Sequence, residues 1–411
     1  MIVNRRRQSP QHESPLKTLA STSLQKAKVK SVHRHHAAIS CTHMRIVLIL
    51  LLLSTSASVA QNTEPDNLLK AAIQAQQHGD YKTAILDYQQ VLKLRPDMAE
   101  VRANLGTALS HEGRYQEAIT EDRLALAASP GNLEIKMNLG LAYFKKGDMP
   151  KAEEIFKQVQ QSMPDNPKIA ILLGDSEVRS GQAAAAVTML TPLEAGNSEN
   201  QDFEFVLGTA LIHSGHLRDG VARIQKVAEA TGAADTYLLA GSTLLDLHDF
   251  AHAKTDLEEA LRLNPNLPRV HALTGIARDM TGDAMSAVPE FQEELKHNPD
   301  DFDSNLYLGA ILYKQRHMAE AKPFLDKALQ LKPYSQLALY ESALWDSTSG
   351  QYEDAAKYLE AVEKANPSWL DPHVELAKVY YRLHRPADGA KERAIVAKLN
   401  AQQQSEGPPQ P

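Results

Sequence analysis

The sequence predicts an all-α solenoid built from one repeated helical hairpin, and three observations support this fold class. A small residue recurs about every 34 positions. A proline closes most of these intervals at the same step. Apolar residues follow helical spacing on both sides of a short break within each interval, which indicates two amphipathic helices. The recurring small residues are Gly106, Gly140, Gly174, Gly208, Gly241, Gly275, Gly309, Ala343 and Ala377.

The repeats can be placed in one register that fills residues 61–403. In repeat two, Gly113 breaks the helical pattern and Pro130 ends the unit. Proline suits this position because it lacks an N–H and disfavours helix in the residue before it. The remaining residues, 404–411, are predicted to form a disordered tail. The ten repeats are 65–98, 99–132, 133–166, 167–200, 201–233, 234–267, 268–301, 302–335, 336–369 and 370–403.

Three positions of each repeat are predicted to form the core. The small residue at position eight lies where the first helix meets its partner, and an alanine at position twenty does the same on the second helix. Position twenty-four should fill the space between repeats. Arg393 at this position suits a terminal repeat with a wetted outer face, whereas the sequence does not explain Asp122. In seven of the other repeats, position twenty-four is occupied by Tyr88, Phe156, Leu190, Leu257, Phe291, Leu325 and Leu359.

Repeats four and five depart from this pattern. Ser198 stands where repeat four should close with proline, and repeat five is one residue short and has Gly220 in place of the usual alanine. The polar stretch 194–200 has the composition of a loop. Ordinary repeat drift and a flexible joint between two sub-arrays both explain it. Pro289 and Pro323 are expected near the start of a second helix, where the first N–H groups have no internal partner.

This pattern resembles the tetratricopeptide repeat family over roughly residues 65–403. The resemblance implies a right-handed superhelix of helical hairpins in which the first helix of each hairpin lines a concave groove. Together with the leader described next, it makes the chain similar to exported bacterial members of the family. In repeat two the resemblance is carried by Leu105, Gly106, Leu109, Gly113, Tyr115, Ala118, Ala125 and Pro130.

Residues 44–60 have the organisation of a secretory signal peptide. Arg45 precedes a short apolar run, and small residues at Ser58 and Ala60 mark a cleavage site before Gln61. The apolar run is much shorter than the roughly 20 residues of a membrane-spanning helix. The mature chain is therefore expected to be periplasmic or extracellular.

Residues 1–43 are unusual because a signal peptide normally begins near its methionine. We expect this leader to be either a misassigned start, with translation beginning at Met44, or a disordered segment. The alternative is an uncleaved anchor with a basic cytoplasmic arm, which would satisfy the positive-inside bias. The single cysteine, Cys41, lies before the cleavage site, so the mature chain would contain no disulfide. The basic residues of the arm are Arg5, Arg6, Arg7, Lys17, Lys26, Lys28, Lys30 and Arg34.

The charge of the mature chain argues against some partners. Of 44 basic and 51 acidic residues, nine and one lie in residues 1–60, which leaves 35 basic and 50 acidic residues and a net charge of −15 with neutral histidines. Such a surface repels phosphate backbones and anionic lipid. We expect no nucleic-acid partner and no integral span in the mature chain.

The sequence contains no recognisable catalytic motif. It lacks a phosphate-binding loop, a G-x-S-x-G nucleophile elbow, a C-x-x-C pair and the H-E-x-x-H metal spacing. No stretch outside the repeats is long enough for a separate catalytic domain. The sequence therefore predicts a protein that is not an enzyme and that has no cofactor or metal.

The resemblance implies a partner-binding groove along the first helices. An asparagine ladder at Asn104 and Asn138 could hold the backbone of an extended peptide through its donors and acceptors. Aromatic groove residues are favoured at binding hot spots. Tyr307 and Tyr313 are expected to face the partner rather than the core. The candidate groove residues are Asn104, Asn138, Phe144, Tyr307, Tyr313, Tyr340 and Tyr381.

The expected function is a non-enzymatic scaffold or adaptor in the cell envelope that binds an extended protein or peptide segment. The alternative is a substrate-recognition subunit of a glycosyltransferase or peptidase whose catalytic chain is separate. A groove for a glycan or another polymer is a third reading. The sequence leaves the partner, its pathway and the oligomeric state open.

Overall fold

The structure, a computed structural model, describes residues 64–406 as a series of helices. Twenty α-helices follow one another in this range as ten successive pairs, which confirms the predicted all-α solenoid class with about ten repeats. The last helix runs to Glu406, so the predicted tail begins as helix. The leader 1–43 and the predicted signal peptide 44–60 lie outside the described residues. The described residues divide into two compact halves, with the division between His216 and Leu217.

The described part of the N-terminal half consists of four helical hairpins and a ninth helix. Each helix packs on its neighbours in sequence. A 3₁₀ turn, Thr191–Gly196, follows the eighth helix, so the polar stretch 194–200 begins as a helical turn rather than an open loop. The half ends at His216 and not within that stretch. The helices are α1 Glu64–Gln77, α2 Tyr81–Leu94, α3 Ala99–His111, α4 Tyr115–Ala128, α5 Leu133–Lys146, α6 Met149–Ser162, α7 Pro167–Arg179, α8 Ala183–Leu190 and α9 Gln201–His213.

The C-terminal half begins with the second helix of repeat five and continues through five complete hairpins. Within this half, each helix from α10 to α20 packs on its neighbours in sequence. The helices are α10 Leu217–Thr231, α11 Ala234–Asp246, α12 Phe250–Leu263, α13 Val270–Met280, α14 Ala284–His297, α15 Phe302–Lys314, α16 Met318–Leu331, α17 Gln336–Thr348, α18 Tyr352–Ala365, α19 Leu370–Arg382 and α20 Pro386–Glu406.

In repeats two to four and six to eight, the residues at positions eight and twenty-four lie in close contact. A β-carbon placed on Gly241 would come within 2.5 Å of Leu257 Cγ, and one on Gly275 within 2.7 Å of the Phe291 ring. Such distances are too short for any larger side chain in a close-packed interior. The predicted role of the small residue is therefore confirmed by the space that its large partner occupies.

Asp122 takes the place of that large apolar partner in repeat two. It is fully buried, and a β-carbon on Gly106 would fall 2.2 Å from its Oδ1. Neither carboxylate oxygen has a hydrogen-bond partner among the described residues. Burial, reinforced by the charge of Glu121, raises the pKa of Asp122 to about 8. The carboxyl group is thus mainly protonated at neutral pH, because the interior disfavours its charged form.

Pro289 and Pro323 lie deeper in their helices than the sequence suggested. Each is the sixth residue of its helix, in α14 and α16. At this depth a residue normally donates its N–H to the carbonyl four positions back, so the expectation of a tolerated place in the first turn is wrong. The carbonyls of Met285 and Ala319 lack their usual helical donor as a result.

In some repeats the side chain at position four links the repeat to the end of the preceding one. In α3, Arg102 donates to Glu121 at 2.7 Å and to the carbonyl of Pro96 at 2.9 Å. Asn305 of α15 reaches the carbonyl of Pro299 in the same way, at 3.0 Å. These contacts satisfy carbonyl groups that the proline leaves outside the helices.

Candidate functional site

The first helices of successive repeats lie side by side and form one face in each half. In the N-terminal half, α3 contacts α5 and α7 contacts α9. In the C-terminal half, α11, α13, α15, α17 and α19 contact one another in succession. The second helices lie behind them, and within each half they pack against the neighbouring first helices. This row of first helices is the face on which the predicted groove residues lie.

The two asparagines of the predicted ladder occupy position six of adjacent repeats and are half-buried. The side-chain amide of Asn138 donates to the Thr107 hydroxyl of the preceding repeat at 3.2 Å. Thr107 in turn donates to the carbonyl of Ala103 at 3.0 Å. One donor of Asn138 is therefore used inside the protein, while its carbonyl oxygen retains acceptor capacity.

Phe144 forms a composite surface with a residue of the next repeat. The Arg179 guanidinium lies 5.1 Å from the centre of the Phe144 ring, within cation–π range. The inner side of the ring faces the buried Phe156, with the ring centres 6.4 Å apart. Phe144 is thus half in the core and half on the face.

The tyrosines of α15 are more firmly packed than the sequence suggested. The ring of Tyr307 stacks on the fully buried Phe291 with centres 5.8 Å apart, and burial raises the pKa of Tyr307. The expectation that Tyr307 is separate from the core is therefore wrong. Tyr313 packs against the same cluster, and its hydroxyl shares a hydrogen bond with Thr348 at 2.9 Å. That bond places the Tyr313 hydroxyl on the exposed side of the face.

Two further tyrosines extend this face along α17 and α19. Tyr340 is half-buried and tilts against Trp369, with ring centres 4.9 Å apart. Burial raises the pKa of Tyr340, so its hydroxyl remains a neutral donor. Tyr381 is 42% exposed and lies over Gly389 of α20. Tyr381 and the hydroxyl of Tyr313 are therefore accessible to a partner.

Sequence reasoning missed a buried carboxylate in the middle of this face. Glu341 of α17 is only 7% exposed, and its Oε2 has no hydrogen-bond partner among the described residues. Its Oε1 lies 3.9 Å from the Lys314 ammonium, beyond hydrogen-bond distance. Glu341 occupies position six of repeat nine, so the register could have placed it on the groove.

One group of side chains has the composition of a metal site. Glu363, His373 and Glu392 bring three potential ligand atoms within 4.8 Å of one another. Both ring nitrogens of His373 already face oxygen atoms, Glu392 Oε2 at 2.7 Å and the Pro367 carbonyl at 3.0 Å. Arg102, at the same position of repeat two, likewise pairs with a glutamate of its own repeat and with a proline carbonyl of the preceding repeat. We therefore interpret the group as a structural tie between repeats nine and ten.

Family models for the tetratricopeptide repeat match four segments of the chain. One model matches residues 69–132 and 275–336, a second matches 122–175 and a third matches 234–267. With the helical pairs and the register described above, the chain belongs to the tetratricopeptide repeat family. None of the matching models describes a catalytic domain.

Several solved structures share the repeat fold at low identity. The chain is 25% identical to a MamA fragment from Desulfovibrio magneticus, with a TM-score of 0.36, covering 41% of this chain and 96% of that one. It is 19% identical to Pseudomonas aeruginosa PilF, with a TM-score of 0.44, and the match covers 52% of this chain and 97% of that one. It is 21% identical to YrrB, which is described as a tetratricopeptide repeat protein with an unusual peptide-binding site. The TM-score is 0.39, and the match covers 47% of this chain and 97% of that one. No curated protein matches the chain.

The fold and the family together define the class of protein. Tetratricopeptide repeats bind proteins or peptides, so the chain is a protein-interaction scaffold. Within residues 64–406, no helix combines the length and the apolar character that a membrane span needs.

Proposed function

We propose that this protein is an exported adaptor of the cell envelope that holds an extended segment of a partner protein along its first helices. The observation that carries the proposal is the set of partly exposed tyrosines on α15, α17 and α19, which follow one another on one face. Tyrosine buries a large area on binding and loses little conformational entropy. A row of such residues suits a chain that lies across several helices.

The N-terminal half offers a second kind of contact. Asn104 and the carbonyl oxygen of Asn138 can pair with the N–H groups of an extended backbone. Phe144 and Arg179 present a flat cation–π pair beside them. These polar contacts would set the register of a segment bound to the N-terminal half. The tyrosines would supply most of the binding energy for a segment bound to the C-terminal half.

Export is supported by the sequence of residues 44–60 and by the absence of cysteine after Cys41. A protein without thiols cannot form wrong disulfides in an oxidising compartment. The acidic balance of residues 61–411 favours a partner segment that is neutral or basic rather than acidic.

The test is affinity capture of the mature chain from cell-envelope extract, with mass spectrometry to identify the partner and titration calorimetry to measure its affinity. The double variant Tyr313→Ala, Tyr381→Ala should lose about 2 kcal/mol of binding, roughly thirtyfold in Kd. Gln292→Ala with Gln330→Ala is the matched control, because both glutamines are exposed on the second helices α14 and α16. Thermal unfolding of each variant checks that the fold is intact.

Two outcomes would count against this function. If the glutamine variant loses the partner and the tyrosine variant keeps it, the partner binds the second helices instead. If the captured partner is a glycosyltransferase or a peptidase, the protein is the recognition subunit of a processing enzyme rather than an adaptor.

A further inference from the structure

Glu341 is a buried carboxylate on the proposed binding face without a full set of partners. Its side chain is more than nine-tenths buried, and Oε2 accepts no hydrogen bond from the described residues. A buried carboxylate without hydrogen bonds is costly, so such a group calls for a specific explanation. Lys314 lies nearest among the cations, but at 3.9 Å and with 61% of its side chain exposed it only partly compensates the charge.

The repeats themselves show what is missing around Glu341. Asn138 occupies position six in repeat three and bonds to Thr107 at position nine of the repeat before it. For Glu341, the residue at that preceding position nine is Ala310, which has no hydroxyl group. The hydroxyl that pairs with the position-six residue of repeat three is therefore replaced by a methyl group here.

The surroundings of Glu341 favour a positive ligand. Asp279 of α13 adds a second carboxylate that acts on Glu341, and burial raises the pKa of both groups. The rings of Tyr307 and Tyr340 lie on the same face, close enough for the Glu341 charge to act on both hydroxyls. Carboxylates beside aromatic rings are the usual elements of a site for a guanidinium or ammonium group.

We propose that Glu341 is the anchor for a basic side chain, arginine or lysine, of the partner segment. The proposal rests on the proposed function, since it assigns a chemistry to the segment held by the first helices. The incoming cation would donate to Oε2, pack between the tyrosine rings and displace Lys314 toward solvent. Arginine fits best, because its planar fork can pair with both oxygens of one carboxylate.

The experiment selects binding peptides from a random twelve-residue library against the full chain and measures their affinities. A selected peptide is then remade with its basic residue as arginine, lysine or the neutral isostere citrulline. We expect the arginine form to bind at least tenfold more tightly than the citrulline form. Lysine at near-arginine affinity would identify the site as a point-charge site, and weaker lysine binding would identify bidentate pairing; either result supports the anchor.

Two variants assign the effect to Glu341. Glu341→Gln keeps the shape of the side chain and should reduce the arginine-to-citrulline ratio to about one, while thermal stability stays the same or rises because a buried charge is removed. Glu375→Gln is the matched control, since Glu375 stands at position six of repeat ten but is already paired with Lys378. It should leave the ratio unchanged.

The outcomes distinguish failure of the Glu341 anchor from failure of the proposed function. Selected peptides without a required basic residue, or a ratio that Glu341→Gln does not change, would overturn the anchor and leave the binding face in place. A library that yields no binder to the full chain would overturn the binding face itself. The preference for arginine should also weaken as the pH falls, because protonation removes the Glu341 charge, whereas citrulline binding should not respond.

Discussion

Asp122 shows how much one residue can change the energetics of a repeat. It lies at the position that Leu257 and Phe291 fill in other repeats, against the same small residue of the first helix. Its pKa of about 8 lies well above the ordinary value of a carboxyl group, so the folded state binds a proton that the unfolded state releases. Stability from this group is complete below about pH 4 and is lost as the pH rises toward about 8.

Asp122→Leu should therefore stabilise the protein. The leucine would fill the space beside Gly106 as Leu257 does beside Gly241. We expect the free energy of unfolding at pH 8 to rise by at least about 2 kcal/mol, because a buried unpaired carboxylate is replaced by an apolar side chain. Denaturant unfolding at pH 5 and pH 8 measures the change.

Asp122→Asn is the control for that experiment. The amide keeps the size and polarity of the side chain but does not ionise, so it should flatten the pH dependence with a smaller gain in stability. If the wild type and both variants share one pH dependence of stability between pH 5 and pH 8, Asp122 does not titrate as described.

At the scale of the helix, the interior prolines of α14 and α16 are the main departure from regular structure. Each removes a donor at the sixth helical residue, beyond the turn where proline is tolerated. Both helices form nevertheless, because buried residues such as Phe291 and Leu325 hold them against their neighbours. Tertiary packing therefore outweighs the local propensity of the sequence.

Replacing Pro323 with alanine should stabilise α16. The restored N–H can donate to the Ala319 carbonyl, and we expect a gain of about 1 to 3 kcal/mol in the free energy of unfolding. Pro167→Ala is the matched control, because Pro167 lies at the start of α7, where the N–H has no helical acceptor. A Pro323 variant no more stable than wild type would show that the surrounding packing has adapted to the proline.

The sequence predicted the elements better than it predicted the contacts of the groove. The predicted contact between positions eight and twenty-four was correct because helical geometry fixes their spacing within one hairpin. The sequence did not predict that Tyr307 stacks on Phe291 or that Glu341 Oε2 lacks a hydrogen-bond partner. Both features depend on which side chain the preceding repeat supplies. The position of Pro289 within its helix was predicted wrongly. Finding that position requires the first residue of the helix, and sequence periodicity gives helix ends only approximately.

At the scale of the whole chain, stability should vary along the array. Each helix packs mainly on its neighbours, so the free energy of opening is local rather than shared by the whole molecule. The 3₁₀ turn Thr191–Gly196 contains no buried residue. We therefore expect it to open more easily than the α-helices of the N-terminal half.

Hydrogen exchange should detect this weakness. We expect amides of residues 194–200 to exchange before those of α5 and α6, and chemical unfolding to be graded rather than a single cooperative step. Equal protection across residues 167–233 would contradict both the local weakness and a joint at this place.

The export hypothesis also concerns the whole chain. If residues 44–60 are a signal peptide, the native protein should begin at Gln61, and N-terminal sequencing of material purified from cells tests this directly. Peptides from residues 1–43 in the purified protein would refute cleavage and would favour the anchored alternative.

The contacts at position four have a practical consequence for anyone who moves repeats between proteins. Asn305 in the fourth position of its repeat depends on the carbonyl of Pro299, three residues upstream of the first helix. A fragment cut at residue 302 would leave that amide without its acceptor, whereas one cut before Pro299 would keep it. The fragment that keeps this contact is therefore offset from the sequence repeat. It begins at the closing proline of the preceding repeat and ends before its own closing proline, which belongs to the next fragment.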